Sequence, residues 1–207
     1  MSDKIMKSTF LAWVFRMPLI KRWSLMFCHQ PENIAEHSHQ VAVVAHLLTL
    51  IYNKNNPTQV LSAERAATIA LYHDQIEIYT GDTVTPIKYH NPELTMEFKK
   101  LESTAENLCL QTLPEALRED FKGLLLSEQI DPEYARLVKA ADVICAYIKT
   151  LNELKQHNYE FEHVKDNLEI KIHTLKEYPE VAYFMDTFID SCMTSLDKLS
   201  TTTHIKQ

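Results

Sequence analysis

Apolar residues recur every three or four positions through most of this chain. One such stripe comprises Val41, Val44, Ala45 and Leu48, and a second comprises Leu137, Ala140, Ala141 and Ile144. This period is typical of amphipathic helices, whereas strands alternate apolar and polar residues. Alternating runs of that kind are few here. The pattern therefore predicts an all-α fold in which both stripes face the core.

Residues that begin and end helices punctuate the chain at regular intervals. The predicted helices span residues 4–16, 34–52, 63–78, 92–110, 132–156, 161–178 and 180–200, with one more beginning at Pro114. Asn33 and Ser62 are placed to cap two of the helices, and Gly81 to end one. Residues 79–91 read as the longest loop, and we expect the polar tail after about residue 200 to fray.

Length and composition favour one globular domain over residues 1–207. The 207 residues are 45% hydrophobic and 24% charged. No apolar segment of 18 residues occurs, so no membrane span is expected. The N-terminus lacks the regions of a signal peptide, which favours the cytoplasm. A net charge of −7 disfavours binding to a nucleic acid polymer.

The numbers and spacing of glycines and cysteines exclude several kinds of functional site. The chain has only two glycines, too few for a glycine-rich phosphate loop. Any phosphate chemistry must therefore use side chains and a metal. The four cysteines are far apart and form no CxxC pair, so we interpret them as reduced thiols that pack as small apolar residues.

His73 and Asp74 are the strongest candidates for chemistry, because of their setting. Chance gives roughly 0.5 His-Asp pairs in this composition, so the pair alone carries little weight, but this pair ends an apolar run, and Glu77 follows His73 by four positions. His37 begins another apolar helix, and Asp142 interrupts an apolar stretch. Two imidazoles and two carboxylates suit a divalent ion such as zinc, manganese, iron, cobalt or nickel. Alternatively, Asp142 pairs with a nearby lysine or arginine.

These positions and their surroundings resemble the bacterial HD-domain 5′-deoxynucleotidases over about residues 8–195. The motifs that carry the resemblance are Ile20–Met26, Glu36–Ser38, Tyr72–Asp74, Thr80–Asp82, Thr85–Tyr89 and Ala141–Tyr147. The resemblance implies a single all-helical HD domain that forms a cytoplasmic homodimer. It also implies hydrolysis of 2′-deoxyribonucleoside 5′-monophosphates with one divalent metal ion. Cobalt, manganese or copper is implied by the family, and zinc is a further choice.

The resemblance also implies a role for each matching residue. His37, His73, Asp74 and Asp142 would hold the metal, and His37, Asp74 and Asp142 would also contact the substrate. Arg22 would orient the phosphate and Trp23 would lie beside the sugar. The substrate loop would comprise Asp82, Thr83, Val84 and Thr85. Either Glu77 or Asp82 would protonate the leaving oxygen.

Each role has a structural alternative. In these alternatives, Arg22 is a solvated charge at a helix end and Trp23 packs in the core. The loop is then a helix C-cap followed by a turn. The chain also departs from the family at Gln75-Ile76, where small or polar residues are expected, and at Val84, where proline is frequent. Two alternative functions remain. One is that of another HD-domain phosphohydrolase, which acts on a signalling nucleotide, and the other is that of a non-catalytic nucleotide-binding domain. The acidic C-terminal helices are the expected dimer interface.

Overall fold

The computed structural model describes residues 7–203, and its helices confirm the all-α prediction. The helices are α1 (Phe10–Val14), α2 (Ile34–Asn55), α3 (Ala63–Tyr72), α4 (Glu77–Thr80), α5 (Thr85–Lys88), α6 (Pro92–Gln111), α7 (Glu115–Leu125), α8 (Pro132–Lys155), α9 (Glu162–Leu175), α10 (Pro179–Cys192) and α11 (Leu196–Thr203). Within residues 7–203 no β-strand forms, and one isolated antiparallel bridge joins Lys21 to Asn33.

Side-chain caps confirm where several helices begin. The Oδ1 atom of Asn33 accepts hydrogen bonds from the amides of Ala35 and Glu36, at 3.1 and 3.0 Å. Ser62 caps α3 in the same way, and Asn91 caps α6. These bonds satisfy amides that the first helical turn leaves without partners.

The predicted helix over 63–78 is wrong at its C-terminal end. Helix α3 ends at Tyr72, and turns lead from there to α4. The amides of His73 and Gln75 bond to carbonyls three residues earlier, at 3.4 and 3.0 Å, so the helix tightens and stops. Gly81 ends α4 instead, with a φ of +69° that favours glycine.

Both chain ends also differ from prediction. The first helix begins at Phe10, and predicted positions 4–6 lie outside the described residues. The helix predicted over 180–200 is interrupted between Cys192 and Leu196. Helix α11 then continues to Thr203, so the expected fraying at about 200 is not seen up to that residue. Residues 204–207 lie outside the described range.

The core confirms the two apolar stripes. Every member of both stripes is buried, and they meet where α2 packs on α8. Helices α3, α9 and α10 complete this main cluster. A smaller cluster joins α1 to α6 and α7 around Phe10, Cys109 and Leu125. Because α2, α3 and α8 pack side by side, the polar residues at their edges converge on one site.

The cysteine prediction is only partly confirmed. Cys109 and Cys145 are buried, but Cys28 is half-buried and Cys192 is exposed. All four are free thiols. Burial raises the pKa of Cys109 to about 11, so this thiol is unreactive near neutral pH. Within the described residues, no helix combines the length and apolar character that a membrane crossing requires.

Candidate active site

Three of the four predicted metal ligands form a compact cluster. His37 is fully buried on α2, whereas His73 and Asp74 follow the end of α3. One ligand atom from each of the three lies within 4.8 Å of the others. The fourth residue, Asp142 on α8, places Oδ1 3.0 Å from Nε2 of His37. Three helices thus bring together residues that are far apart in sequence.

The hydrogen bonds of His73 leave its Nε2 atom suited to bind a metal. Its Nδ1 atom lies 2.6 Å from the carbonyl oxygen of Ala70, which can only accept, so Nδ1 carries the proton. Nε2 is buried without a hydrogen-bond partner and lies 3.2 Å from Oδ1 of Asp74. An orphaned imidazole nitrogen beside a carboxylate fits a divalent cation.

Asp142 faces two partners. While Oδ1 lies against His37, Oδ2 accepts a hydrogen bond from Lys139 at 2.8 Å. Burial acts to raise the pKa of Asp142, but the hydrogen bond with His37 and the charge of Lys139 outweigh it and hold this pKa well below its usual range. Asp142 is therefore ionised, and the predicted pairing with a lysine occurs alongside its contact with the histidine.

Arg22 is not a solvated helix-end charge. Only 12% of its side chain is exposed, and it forms ion pairs with two carboxylates. Nε lies 3.0 Å from Oε2 of Glu32, and Nη1 lies 3.1 Å from Oδ2 of Asp74. Burial acts to lower the pKa of Arg22, but these carboxylates outweigh it and raise the pKa. Arg22 thus presents a fixed positive charge beside the ligand cluster.

Trp23 combines core packing with three polar or aromatic contacts. Its φ of +58° lies in the left-handed region, which costs a bulky residue about 1–3 kcal/mol. Its indole Nε1 donates to Glu32 at 2.9 Å, and its backbone amide donates to Asp82 at 3.2 Å. The ring packs edge-on against Phe161, with centroids 5.4 Å apart. Such strain, held by specific contacts, is frequent at functional sites.

Glu77 lies in a different local setting from the predicted one. It begins α4 rather than following His73 along one helix, so the predicted shared helix face is wrong. Its Oε2 atom is buried and has no hydrogen-bond partner. Burial, together with the charges of Asp74 and Asp82, raises the pKa of Glu77 to about 9. In the metal-free protein at neutral pH, Glu77 is therefore a protonated carboxylic acid.

The predicted substrate loop follows Gly81 and leads into α5. Asp82 is half-buried, and burial raises its pKa. Thr83 and Val84 are half-buried, and the Val84 carbonyl accepts from the amides of Ile87 and Lys88. Thr85 begins α5, and its side chain lies outside the described part of the structure. The loop is therefore more than a helix cap, because its aspartate bonds to Trp23.

A cavity of about 560 Å³ opens beside this cluster. Its wall includes His73, Asp74, Glu77, Thr83 and Asp142, and it extends along α6. Its volume lies within the range of small-ligand sites. The wall does not include Arg22, Trp23, His37 or Asp82, although Arg22 and His37 both contact Asp74, which lines it.

Sequence reasoning assigned no role to Glu32, Lys88 or Glu102 in this region, and it predicted a lysine or arginine partner for Asp142 without naming Lys139. Glu32 holds both Arg22 and Trp23, and Lys139 pairs with Asp142. Lys88 and Glu102 form an ion pair at the cavity wall. No motif or residue spacing in the sequence points to Glu32. Lys139, in contrast, lies three positions before Asp142 in a predicted helix, a spacing that brings two side chains together. The unusual residue Gln75 is fully buried, and its amide atoms have no hydrogen-bond partner.

The chain closely resembles known proteins in sequence. Residues 9–192 match the family model described as 5′-deoxynucleotidase YfbR-like. A 5′-deoxynucleotidase of Vibrio vulnificus is 48% identical over 194 residues, covering 94% of this chain and 99% of that protein. A 5′-deoxynucleotidase of Shewanella oneidensis is 42% identical over 193 residues, covering 93% of this chain and 98% of that protein.

Solved structures show the same fold. An HD-domain phosphohydrolase of Listeria innocua superposes with a TM-score of 0.75 at 22% identity, covering 94% of this chain and 96% of that one. The HD phosphohydrolase DatZ of cyanophage S-2L was solved bound to dA and one catalytic Zn²⁺. It superposes with a TM-score of 0.61 at 23% identity, covering 87% of this chain and 96% of that one. At these identities the likeness supports the fold alone.

Proposed function

Because the chain belongs to the YfbR-like 5′-deoxynucleotidase family, we propose that it hydrolyses 2′-deoxyribonucleoside 5′-monophosphates to deoxynucleosides and phosphate, using a divalent metal ion. The observation that carries this proposal is the cluster of His37, His73 and Asp74, in which His37 is buried and His73 and Asp74 line a cavity of about 560 Å³. A cluster of this composition beside an arginine suits an anionic phosphate ester.

The metal would be held by His37, His73, Asp74 and Asp142. When bound, a divalent ion lowers the pKa of a water molecule and polarises the phosphate. The HD phosphohydrolase of cyanophage S-2L was solved with one catalytic Zn²⁺, which makes zinc one of the ions to compare. We propose one ion per chain, with zinc, cobalt, manganese and copper as the ions to compare.

Arg22 would bind the phosphate. A guanidinium offers a planar fork of donors that matches two phosphate oxygens. Its ion pairs with Glu32 and Asp74 hold it within reach of the ligand cluster. As negative charge develops on the phosphoryl oxygens, a donor already in place stabilises the transition state without reorganisation.

Trp23 would select against ribose. Its backbone is fixed in the left-handed region and its indole is held at both ends, by Glu32 and by Phe161. A rigid ring beside the sugar leaves no space for a 2′-hydroxyl. The loop of Asp82, Thr83, Val84 and Thr85 would complete the sugar site. The amide of Trp23 holds Asp82, which ties the loop to the ring.

Glu77 would donate the proton. Hydrolysis joins the water oxygen to phosphorus, releasing one water proton to solvent, and breaks the bond from phosphorus to O5′, which then needs a proton from the general acid. Glu77 lines the cavity and has a buried carboxyl oxygen without a partner. Asp82 already uses one oxygen to accept from Trp23. The free carboxyl of Glu77 therefore supports its role as the general acid.

The homodimer also stays a proposal. Large apolar side chains are exposed near the N-terminus, at Leu11, Phe15, Leu19, Leu25 and Phe27. They favour this surface as the dimer interface, in addition to the C-terminal helices, where Leu196 is exposed. Location in the cytoplasm stays a prediction.

The test is phosphate release from dAMP, AMP and 3′-dAMP by protein stripped with EDTA and then reloaded with single metals. We expect metal-dependent release from dAMP and little from the other two. His73→Ala should abolish release, whereas His163→Ala, at an exposed position on α9, should not change it. Equal release from dAMP and AMP would contradict sugar selection. No release by fully metal-loaded protein would contradict the whole proposal.

A further inference from the structure

Glu32 is a buried carboxylate that precedes α2 and belongs to no predicted motif. Only 7% of the residue is exposed. Its backbone lies antiparallel to the segment that carries Arg22. The Arg22 amide donates to the Glu32 carbonyl at 3.0 Å, and the Ile34 amide donates to the Ile20 carbonyl at 3.1 Å. The two short segments are thus locked in register.

The side chain of Glu32 joins two functional groups through one atom. Its Oε2 accepts from Arg22 Nε at 3.0 Å and from Trp23 Nε1 at 2.9 Å. The other oxygen, Oε1, faces His37 Nδ1 at 3.9 Å, beyond hydrogen-bonding distance. Hydrogen bonds to a charged acceptor are roughly twice as strong as those between neutral groups. A single carboxylate oxygen therefore sets the position of the guanidinium relative to the indole.

A second carboxylate anchors the loop that leads to Glu32. Glu153 on α8 is fully buried and accepts from the amides of His29 and Gln30 at 2.9 and 3.0 Å. It also accepts from the side chains of Lys149 and of Asn158. The loop before Glu32 is therefore fixed to the main helical core.

We infer that Glu32 is a positioning residue that couples phosphate binding by Arg22 to the exclusion of ribose by Trp23. This inference rests on the proposed function. Without the carboxylate, Asp74 is the remaining ion-pair partner of Arg22 described here and would draw the guanidinium toward the ligand cluster. The indole would lose the acceptor that holds its N–H end. Both effects would loosen the discrimination between deoxyribose and ribose.

The test compares Glu32→Gln with the wild type on dAMP and AMP. Glutamine keeps the length of the side chain but removes the charge that both donors share. We expect KM for dAMP to rise by about tenfold or more, and the ratio of kcat/KM for dAMP to that for AMP to fall by about tenfold. A residue with a merely structural role would leave this ratio unchanged.

Glu180→Gln is the matched control. Glu180 is also buried, at 2% exposure, and accepts from Arg136 at 2.6 Å, but it lies on α10 away from the ligand cluster. We expect this variant to lower the melting temperature without changing the dAMP/AMP ratio. The comparison separates loss of a buried ion pair from loss of the Glu32 contacts.

Tryptophan fluorescence gives a readout that needs neither metal nor turnover. The chain has two tryptophans, so Trp13→Phe leaves Trp23 as the only tryptophan, and selective excitation of tryptophan reports on it alone. In this background, Glu32→Gln should change the emission of the metal-stripped protein, and Glu180→Gln should not. Inactivity of the wild type on dAMP would refute the proposed function, while the emission would still test the contact.

An unchanged dAMP/AMP ratio in Glu32→Gln would overturn the inference, whatever the total activity. If that variant does not fold, Glu32→Asp serves in its place, since it keeps the charge but withdraws the oxygen by one methylene. A fall in its ratio supports the inference, and an unchanged ratio overturns it.

Discussion

Oδ1 of Asp142 lies 3.0 Å from Nε2 of His37, although 105 residues separate them in the chain. The contact crosses the interface between α8 and α2, whose apolar stripes are buried against each other. The same interface therefore forms the core and brings two proposed metal ligands together.

Metal binding should stabilise the protein. Asp74 and Asp142 each place a carboxylate oxygen within 3.7 Å of Nε2 of His37, so a cation bound there relieves the repulsion between the two carboxylates. At a metal concentration of about 100 times Kd, binding contributes about 2.7 kcal/mol. For a chain of this size, this corresponds to a rise of about 5–10 °C in Tm. The measurement is calorimetry of EDTA-stripped protein with and without metal. Asp142→Asn should lose most of the rise, and an equal rise in that variant would exclude Asp142 as a ligand.

Replacing Arg22 should impair catalysis even when the charge is kept. Arg22→Lys retains a cation but loses the fork that reaches Glu32 and Asp74 together. We expect kcat/KM for dAMP to fall by about 100-fold, a typical cost for one transition-state donor. Arg16→Lys, at an exposed position, is the control and should retain full activity. Wild-type kinetics in Arg22→Lys would refute the phosphate-binding role.

Glu77→Gln should affect substrates according to their leaving group. A poor leaving group such as the 5′-alkoxide of dAMP needs a proton, so we expect a loss of about 100-fold or more. An ester such as p-nitrophenyl phosphate, whose leaving group is stable as an anion, should lose much less. The ratio of kcat values for the two esters measures this difference. Equal losses on both would assign the proton to another residue, and Asp82→Asn is then the next variant.

The stability of the protein should depend on Glu153 in acid. Burial acts to raise the pKa of Glu153, but hydrogen bonds from Lys149, Asn158 and two backbone amides outweigh it and lower the pKa to about 2. The folded pKa lies below the unfolded value, so the contribution is complete above about pH 4.5 and is lost as pH falls toward 2.

Urea unfolding from pH 7 to pH 3 tests this dependence. The free energy of unfolding of Glu153→Gln should lie below that of the wild type at pH 7, and the difference should shrink below pH 4.5. Glu169→Gln, at an exposed position on α9, provides a comparison that should show little change. A difference that stays constant across this range would contradict the assigned pKa.

Local chemistry was enough to predict most helix starts and the core stripes. Asn33, Ser62 and Asn91 cap their helices with their own side chains, which needs no distant partner. The break after Tyr72 was not predicted, because His73 to Ile76 have no glycine or proline to signal it. The helix there gives way to tighter turns that place His73 and Asp74 beside His37.

The sequence by itself determined the helical class, the residue types of the proposed metal site and, through its motifs, the family. Periodicity and capping act over a few residues, so they can be read from the chain. Only the tertiary structure decided that Glu32 joins Arg22 to Trp23, that Trp23 takes a left-handed backbone, and that Glu77 has a buried carboxyl oxygen and a raised pKa. These features depend on contacts between distant segments and on the exclusion of water, which no local pattern encodes.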